Sequence, residues 1–357
     1  MKKCNVILYP ITEEAYPYIE FYDLNDSIRC VYCCVSGDMC TNKIIFENGK
    51  VVRLFNLLDC MENNNFDKIV ILNSLIGFDF KSTIVPYIKD IKKCGKTLVF
   101  SKSPQYNEIE ILREYAIVYE VYNKSIIYEP SDIDVHKRLF SIKTPIIFVL
   151  GMYEYTDKMS ILLYIHSFLH KAGYSVKTVL TKENAIGFNN CISFPHEMLE
   201  NNLSDTDKII FFNHFIRKVE INGNPDVIVI GIPGEILPLN EKHYGHYGLM
   251  PFLIGTAIKA DYAILNVFGN FCNGEFIQML NDVCKNRYLI DINAVSISSM
   301  VLDLTSLNTD ELEVYRFLDS DVVLNDKFFY KRVNINKHSL GEEIINTLSD
   351  YGDYNTI

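Results

Sequence analysis

The chain has 357 residues, of which 48% are hydrophobic and 22% charged, and its formal net charge is −11. This composition is typical of a folded globular protein, and the length suggests two domains at roughly 150 residues each. The negative charge and the lack of a basic stripe exclude non-specific binding to nucleic acid, because phosphate neutralisation needs clustered Lys and Arg.

The sequence contains no apolar run near the ~18 residues that a membrane-spanning helix needs. The N-terminal stretch MKKCNVILYP lacks a cleavable apolar region and is predicted to form a buried strand. Ten cysteines without a secretion signal indicate reduced thiols rather than disulfides. We therefore expect a cytoplasmic protein that does not bind membranes.

Short Val- and Ile-rich runs alternate with longer amphipathic segments in two blocks of the sequence. The predicted strands of the first block cover residues 5–9, 30–35, 68–73 and 97–102, and those of the second cover residues 145–151, 175–180, 226–231, 262–269 and 288–295. These runs are apolar throughout, which indicates burial on both faces and favours doubly wound parallel sheets over a sandwich.

A boundary between the blocks is predicted at the mixed-charge stretch YEPSDIDVHKRLFSIKTP. We assign residues 1–130 to the first domain, 131–144 to a linker and 145–357 to the second domain. The C-terminal part should add two helices, near 309–318 and 338–350, that pack on the second domain.

An apolar strand that ends at Gly151 is followed by a loop and by a predicted helix that begins near Lys158. The apolar face of this helix is formed by Ile161, Leu162, Ile165, Phe168, Leu169 and Ala172. A strand, a loop and a helix N-terminus in this order can bind an anion, because free backbone N–H groups and the helix dipole point toward it. The loop departs from the G-x-x-x-x-G-K-[ST] pattern, since six residues instead of five separate the glycine from the lysine.

The residues around the lysine depart from that pattern as well. Asp157 replaces the second glycine, and Met159 replaces the Ser or Thr that would bind Mg²⁺, although Ser160 follows and Thr156 precedes. Glu154 or Asp157 facing a triphosphate would cost several kcal/mol, given about 4 kcal/mol for two unit charges 4 Å apart at an effective dielectric of 20. Either the acids turn outward, or they contact the phosphates only through Mg²⁺, or no nucleotide binds and the loop is an ordinary strand-to-helix turn.

The strand in PDVIVIGIPGEILPLN is followed by a tight turn built from Gly231, Pro233 and Gly234. This turn lies at the carboxyl end of a parallel strand, where open α/β sheets bind ligands. Glu235 follows directly, and an acid there could hold a Mg²⁺-bound water. The segment resembles the corresponding part of dethiobiotin-synthetase-like P-loop proteins, in which a Gly-rich turn after the third strand faces the nucleotide and substrate. That resemblance covers residues 145–295.

Four segments occur in the order GMYEYTDK, GYSVKTVLTKENAIGFNNCISFPHEM, IIFFNHFIRKVE and PDVIVIGIPGEILPLN. Together they resemble the peptide-maturation-system proteins of bacterial gene clusters for ribosomally made natural products. The family motif falls on Thr156, Lys158, Gly187, Phe188, Phe194, Pro195, Asn213, Gly231, Pro233 and Gly234. The resemblance implies an α/β protein with two Rossmann-like domains, the C-terminal one P-loop-NTPase-like. It also implies a precursor peptide and a radical maturase as partners, and it supplies a context rather than a reaction.

We predict a nucleotide-binding protein that performs NTP-dependent activation or transfer on a peptide or acyl intermediate, the chemistry of a transferase or ligase. Its cofactor would be ATP or GTP with Mg²⁺. The cofactor contacts are assigned to Gly151, Thr156, Lys158, Ser160, Gly231, Pro233 and Gly234, and the catalytic roles to Lys158 and Glu235. The metal is assigned to Glu154 and Asp157, and the substrate side to His196, Asn213, His243 and His246.

The competing hypothesis is a non-catalytic scaffold that kept the P-loop fold, lost the nucleotide and binds the precursor peptide or a maturation enzyme. The two acids of the loop and the missing Ser or Thr after Lys158 favour it. A carrier protein is a further candidate partner, and a homodimer is a candidate assembly. The aromatic segment HYGHYG should lie beside the glycine turn, either as a flexible lid over a substrate or as an ordinary surface loop.

A third hypothesis, a redox or metal protein, rests on Cys30, Cys33, Cys34 and Cys40. A structural zinc needs a second ligand pair at proper spacing, and the neighbouring sequence offers none. We therefore interpret these residues as small apolar members of a buried strand. His166 and His170 have the i, i+4 spacing of two zinc ligands, but without further ligands they are predicted to form a polar edge of the helix.

Overall fold

The computed structural model describes residues 3–12, 15–21, 28–35, 43–45, 50–73, 78–122, 138–181, 190–199, 201–271, 273–316, 329–331 and 340–353. The chain divides into two compact units, namely residues 1–125 with 182–194, and residues 126–181 with 195–357. No helix within the described ranges is both long enough and apolar enough to cross a membrane.

The first unit contains a seven-stranded sheet with helices packed on it. Its elements are β1 (Cys4–Tyr9), α1 (Tyr16–Glu20), β2 (Ile28–Val35), β3 (Lys43–Ile45), β4 (Val51–Asn56), α2 (Leu57–Asn63), β5 (Lys68–Ile71), α3 (Phe80–Thr83), α4 (Ile88–Cys94), β6 (Thr97–Phe100), α5 (Tyr106–Glu114) and β7 (Tyr119–Val121). The strands lie in the order β3-β4-β2-β1-β5-β6-β7, and the neighbours are parallel except for β3 and β4. The core is made by apolar strand residues such as Ile7, Ile69 and Leu98, which are fully buried.

The second unit is built around another parallel sheet. The elements continue with β8 (Ile146–Gly151), α6 (Lys158–Lys171), β9 (Val176–Val179), β10 (Cys191–Ile192), α7 (Asp205–Gly223), β11 (Val227–Gly231), α8 (Leu249–Ala257), β12 (Tyr262–Val267), α9 (Gly274–Tyr288), β13 (Ala294–Ile297), β14 (Met300–Leu302), β15 (Val314–Arg316), β16 (Phe329–Lys331) and α10 (Leu340–Asp353). Of these, β10 lies in the 182–194 segment of the first unit.

Six strands of the second unit lie in the order β9-β11-β8-β12-β13-β16, and every neighbouring pair among them is parallel. Strands β8, β11 and β12 are buried along their whole length, as their continuous apolar runs predict. The expected α/β fold with Rossmann-like, mainly parallel sheets is thereby confirmed. Because β8 is central, the loop that follows it lies in the middle of one edge of the sheet.

The predicted helix near 309–318 is wrong over its described part. Residues 306–308 form a short 3-10 turn, and β15 pairs antiparallel with β14. The helical pattern of the sequence is overridden by this strand pairing, since tertiary contacts outweigh weak local propensity. The second predicted helix, near 338–350, corresponds to α10, which packs on α6 and β12.

Residues 138–144 of the predicted linker are bound to helix α7 of their own unit. The Glu220 carboxylate accepts the backbone N–H groups of Lys143 and Thr144 at 2.7 and 2.8 Å. The pKa of Glu220 is lowered, because these hydrogen bonds and the Arg217 guanidinium outweigh the opposing effect of burial. Residues 138–144, the segment directly before β8, are therefore held against α7 by hydrogen bonds.

Candidate functional site

Two segments of the second unit meet at the carboxyl edge of its sheet. The first, here called the acidic loop, comprises residues 152–157, and the second, the glycine turn, comprises residues 232–235. They follow β8 and β11, which are adjacent and parallel, with Gly231 opposite Val149. The backbone N–H of Ile232 donates to the Val149 carbonyl at 2.9 Å. The edge position is the one at which open α/β sheets bind ligands.

Gly151 lets the acidic loop fold back over the end of β8. A Cβ atom at this position would overlap Thr156 Oγ1 and would lie 2.8 Å from Lys158 Cδ. Thr156 is fully buried, and its hydroxyl donates to the Tyr153 carbonyl at 2.9 Å. The hydroxyl therefore stabilises the loop itself. The sequence pattern predicts that it contacts the cofactor instead.

Lys158, Glu154 and Gly234 form the centre of the site. Lys158 Nζ donates to the Gly234 carbonyl and lies 3.7 Å from Glu154 Oε1. The same Glu154 oxygen accepts the Gly234 N–H at 3.0 Å. The Lys158 side chain is only 6% exposed, whereas that of Glu154 is 39% exposed. Two donors that could bind an anionic ligand are thus directed at a carboxylate of the protein.

Asp157, the second acid of the loop, points elsewhere. Its carboxylate accepts hydrogen bonds from the hydroxyls of Ser298 and Ser299 at 2.9 and 3.1 Å. Glu154 and Asp157, predicted to hold a metal, are therefore held by different partners and not brought together. Among the described residues, no group of three or more His, Cys, Asp or Glu side chains could bind a metal ion.

Two other predicted cofactor residues lie in or close to these segments. Ser160 is buried in the first turn of α6, where its backbone N–H donates to the Asp157 carbonyl at 3.0 Å. Pro233 is half-buried between Gly231 and Gly234, and Gly234 has a φ of +80°, a backbone conformation that favours glycine. The Ser160 side chain does not line an open site in this conformation.

Glu235, predicted as a catalytic acid or Mg²⁺ ligand, holds the segment that follows the glycine turn. It is 2% exposed, and its carboxylate accepts the backbone N–H of His246. A Cβ atom at Gly245 would overlap this carboxylate. The imidazole of His243 is also held by a hydrogen bond, with Nε2 2.9 Å from the Thr309 carbonyl oxygen. Of the two histidines in this segment that were assigned to the substrate, His246 is exposed and His243 is buried.

The other two residues assigned to the substrate lie outside the acidic loop, the glycine turn and the segment 243–248. Asn213 is buried in α7, where its amide donates to the carbonyls of Phe140 and Ala257 and accepts the Phe140 N–H. Its side chain thus links the segment before β8 to the end of α8. The assignment of Asn213 to the substrate is corrected accordingly. His196 is exposed in a short 3-10 turn, His196–Met198.

Two buried polar atoms beside the loop were not anticipated from the sequence. Asn266 and Ser296 lie opposite each other on β12 and β13, and Asn266 Oδ1 and Ser296 Oγ have no hydrogen-bond partner among the described residues. The Asn266 amide donates to the Leu150 carbonyl at 3.0 Å, and its backbone carbonyl accepts the Met152 N–H at 2.8 Å. The single Asn within the apolar run YAILNVF is the sequence feature that could have indicated a buried polar group here.

The electrostatic balance of the edge is negative. The pKa of Tyr153 is raised by burial and by the nearby carboxylates of Glu235 and Glu154. Lys158 Nζ lies 3.7 Å from one of these carboxylates, that of Glu154. An anionic ligand would therefore need either displacement of Glu154 or an accompanying cation.

Three cysteines of the cluster, Cys30, Cys33 and Cys34, lie in β2 of the first unit, and the core interpretation is confirmed for Cys33 and Cys34. Cys33 and Cys34 are buried in β2, and Cys30 Sγ lies 3.6 Å from Cys33 Sγ. The pKa of Cys30 is raised by its hydrogen bond with Cys33 and by burial, which disfavours a reactive thiolate. Three further residues named in the sequence analysis, Cys40, Gly187 and Phe188, lie outside the described residues.

None of the family models and none of the curated proteins compared with this chain match it. A solved structure of a DUF1611 family protein from Anabaena variabilis superimposes with a TM-score of 0.55 and 12% sequence identity. The match covers 83% of this chain and 88% of that protein. The similarity is one of fold alone. It extends over both α/β units rather than over an isolated motif.

Proposed function

We propose that this chain is a cytoplasmic, nucleotide-binding protein of a maturation system for ribosomally made peptides. In this proposal the acidic loop and the glycine turn hold the phosphates of ATP or GTP together with Mg²⁺. The observation that carries it is the convergence of Lys158 Nζ and the Gly234 N–H on one anionic oxygen. A buried ammonium and a backbone N–H fixed in this way favour a preorganised anion site, because little reorganisation is needed when the anion changes.

The Glu154 carboxylate occupies this anion position in the structure. A phosphate and a carboxylate 4 Å apart would repel by about 4 kcal/mol per pair of unit charges at an effective dielectric of 20. Glu154 is partly exposed and can rotate into solvent, whereas Lys158 is buried and stays. Binding of a nucleotide therefore exchanges one anion for another, and Mg²⁺ lowers the remaining repulsion.

The reaction proposed at this site is NTP-dependent activation or transfer on a peptide or acyl intermediate. The resemblance to peptide-maturation-system proteins supports this context, with the precursor peptide as substrate and a radical maturase or carrier protein as partner. The described geometry supports phosphate binding more directly than it supports a particular catalytic base, because the Glu235 carboxylate is buried and already holds His246.

A second candidate is a non-catalytic scaffold that binds the precursor peptide or a maturation enzyme. A specific observation favours it, namely that both acids of the loop already have partners inside the protein. The Thr156 hydroxyl is also engaged within the loop. A loop closed by its own side chains could be a stable structural element that binds no nucleotide.

Calorimetric titration with ATP and GTP, with and without Mg²⁺, separates the two candidates. We expect the wild type to bind and Lys158→Ala to lose binding, because the buried ammonium is the main phosphate contact. Lys171→Ala is the matched control, since Lys171 is an exposed residue at the other end of the same helix. If neither the wild type nor Glu154→Gln binds at millimolar nucleotide, the nucleotide proposal is wrong and the scaffold is favoured.

A further inference from the structure

The segment HYGHYG, residues 243–248, presents two stacked aromatic rings at the surface. The rings of Tyr244 and Tyr247 are nearly parallel, with centroids 5.0 Å apart and an interplanar angle of 13°. Tyr244 is 48% exposed and Tyr247 is 54% exposed. Stacked rings of this kind usually contribute buried apolar area to a core, so their exposure calls for an explanation.

The backbone of this segment has a specific and unusual shape. Gly245, Tyr247 and Gly248 all have φ between +54° and +71°. Tyr247 is the notable member, because a bulky residue rarely adopts this conformation and such residues concentrate at functional sites. A Cβ atom at Gly248 would overlap the Tyr288 hydroxyl, so the glycine is needed for the close packing there.

The segment is anchored to the rest of its unit at several points. Arg287 Nη2 donates to the Tyr247 carbonyl at 2.9 Å, and the imidazole of His243 lies against Thr309. The Glu235 carboxylate accepts the His246 N–H in the middle of the segment. The sequence left open a flexible lid or an ordinary surface loop, and these contacts favour a segment held in place, here called the platform.

The platform and the anion site are joined through adjacent residues. Gly234 supplies the N–H that binds the Glu154 carboxylate, and Glu235, the next residue, holds the platform through His246. We propose that Tyr244 and Tyr247 bind the planar ring of the ligand whose phosphate binds at Lys158, so that a nucleobase stacks on them. This inference rests on the proposed nucleotide function and adds the place where the base binds.

The chemistry of the platform predicts how selective it is. Aromatic side chains stack on the face of any base, and this contact contributes without reading the pattern of donors and acceptors on the base edge. We therefore expect ATP and GTP to bind with similar affinity. Ribose 5-triphosphate, which has the phosphates and the sugar but no base, should bind roughly 5- to 150-fold more weakly, the range that base stacking contributes.

The test compares calorimetric titrations of Mg²⁺-bound ATP, GTP and ribose 5-triphosphate. In Tyr244→Ala and Tyr247→Ala, ATP should lose most of its advantage over ribose 5-triphosphate, and Tyr247→Phe should keep it because the ring remains. Tyr174→Ala is the control, since Tyr174 is an exposed tyrosine at the far end of α6. Thermal unfolding of each variant verifies that it is folded.

The outcomes separate this inference from the proposed function. If ribose 5-triphosphate binds the wild type as tightly as ATP does, the platform is refuted and the phosphate site remains. The same conclusion follows if both alanine variants keep the full preference for ATP. If neither the wild type nor Glu154→Gln binds any of the three ligands, the proposed function fails, and the base platform is overturned with it.

Discussion

Replacement of Glu154 by Gln should strengthen nucleotide binding. Gln keeps an oxygen that can accept the Gly234 N–H, so the loop should hold its shape, but it removes the charge that competes with phosphate for Lys158. A carboxylate displaced to ~6 Å from a phosphate repels it by about 0.7 kcal/mol per unit charge in water and by about 2.8 kcal/mol at an effective dielectric of 20. Because the Glu154 side chain is 39% exposed, we expect a value near the lower end. A gain of about 1 kcal/mol corresponds to about a fivefold lower Kd.

The assay is titration of wild type and variant with Mg²⁺-ATP at low and moderate salt, since screening should shrink the difference between them. Asp157→Asn is the matched control, because it removes the same charge from the same loop at a carboxylate held by Ser298 and Ser299. A similar gain in this control would indicate a general charge effect. If Glu154→Gln instead weakens Mg²⁺-dependent binding, Glu154 is a metal ligand and the competition argument is refuted.

Three further predictions concern stability. Gly151→Ala should cost about 2 kcal/mol in denaturant unfolding, because the added Cβ overlaps Thr156; an unchanged midpoint would contradict the folded-back loop. Asn213→Ala should cost about 1–3 kcal/mol in denaturant unfolding, because it removes the hydrogen bond to the carbonyl of the buried Ala257, yet the folded variant should keep its nucleotide affinity. Burial, His170 and Lys177 lower the pKa of His166 to about 4. Since the unfolded imidazole binds its proton at about pH 6.5, stability should fall from pH 6.5 toward 4, by about 2 kcal/mol at pH 5; unfolding of His166→Gln should lack this contribution.

The strands that carry the candidate site could be predicted, because strands buried on both faces have continuous apolar runs in the sequence. β8, β11 and β12 are runs of apolar residues without alternation, which only a sheet covered on both faces explains. The shared edge of the acidic loop and the glycine turn followed from the same reasoning, since parallel strands place their carboxyl ends together. The strand order, by contrast, depends on long-range pairing that leaves no local pattern.

The hydrogen-bond partners of the site side chains could not be predicted either, because contacts between distant parts of the chain leave no local sequence pattern. Asp157 bonds to Ser298 and Ser299, residues more than 140 positions away in the chain. The family motif assigned Asn213 to the substrate, and Glu235 was assigned a catalytic role because it follows Gly234. Both side chains instead form hydrogen bonds inside the protein. Sequence patterns indicate which edge of a sheet is polar, but the direction of each side chain depends on packing around it.

The backbone of the acidic loop bears on whether the loop still serves a ligand. Tyr155 and Asp157 have φ of +62° and +57°, a conformation that glycine adopts freely and that costs other residues roughly 1–2 kcal/mol each. A loop that had become a simple connection would be expected to lose such strain, either by relaxing or by admitting glycine. Here the strained shape is retained, and it directs Glu154 toward Lys158 and Gly234. A strained loop whose own carboxylate occupies the anion position favours a site in which that carboxylate and a phosphate compete.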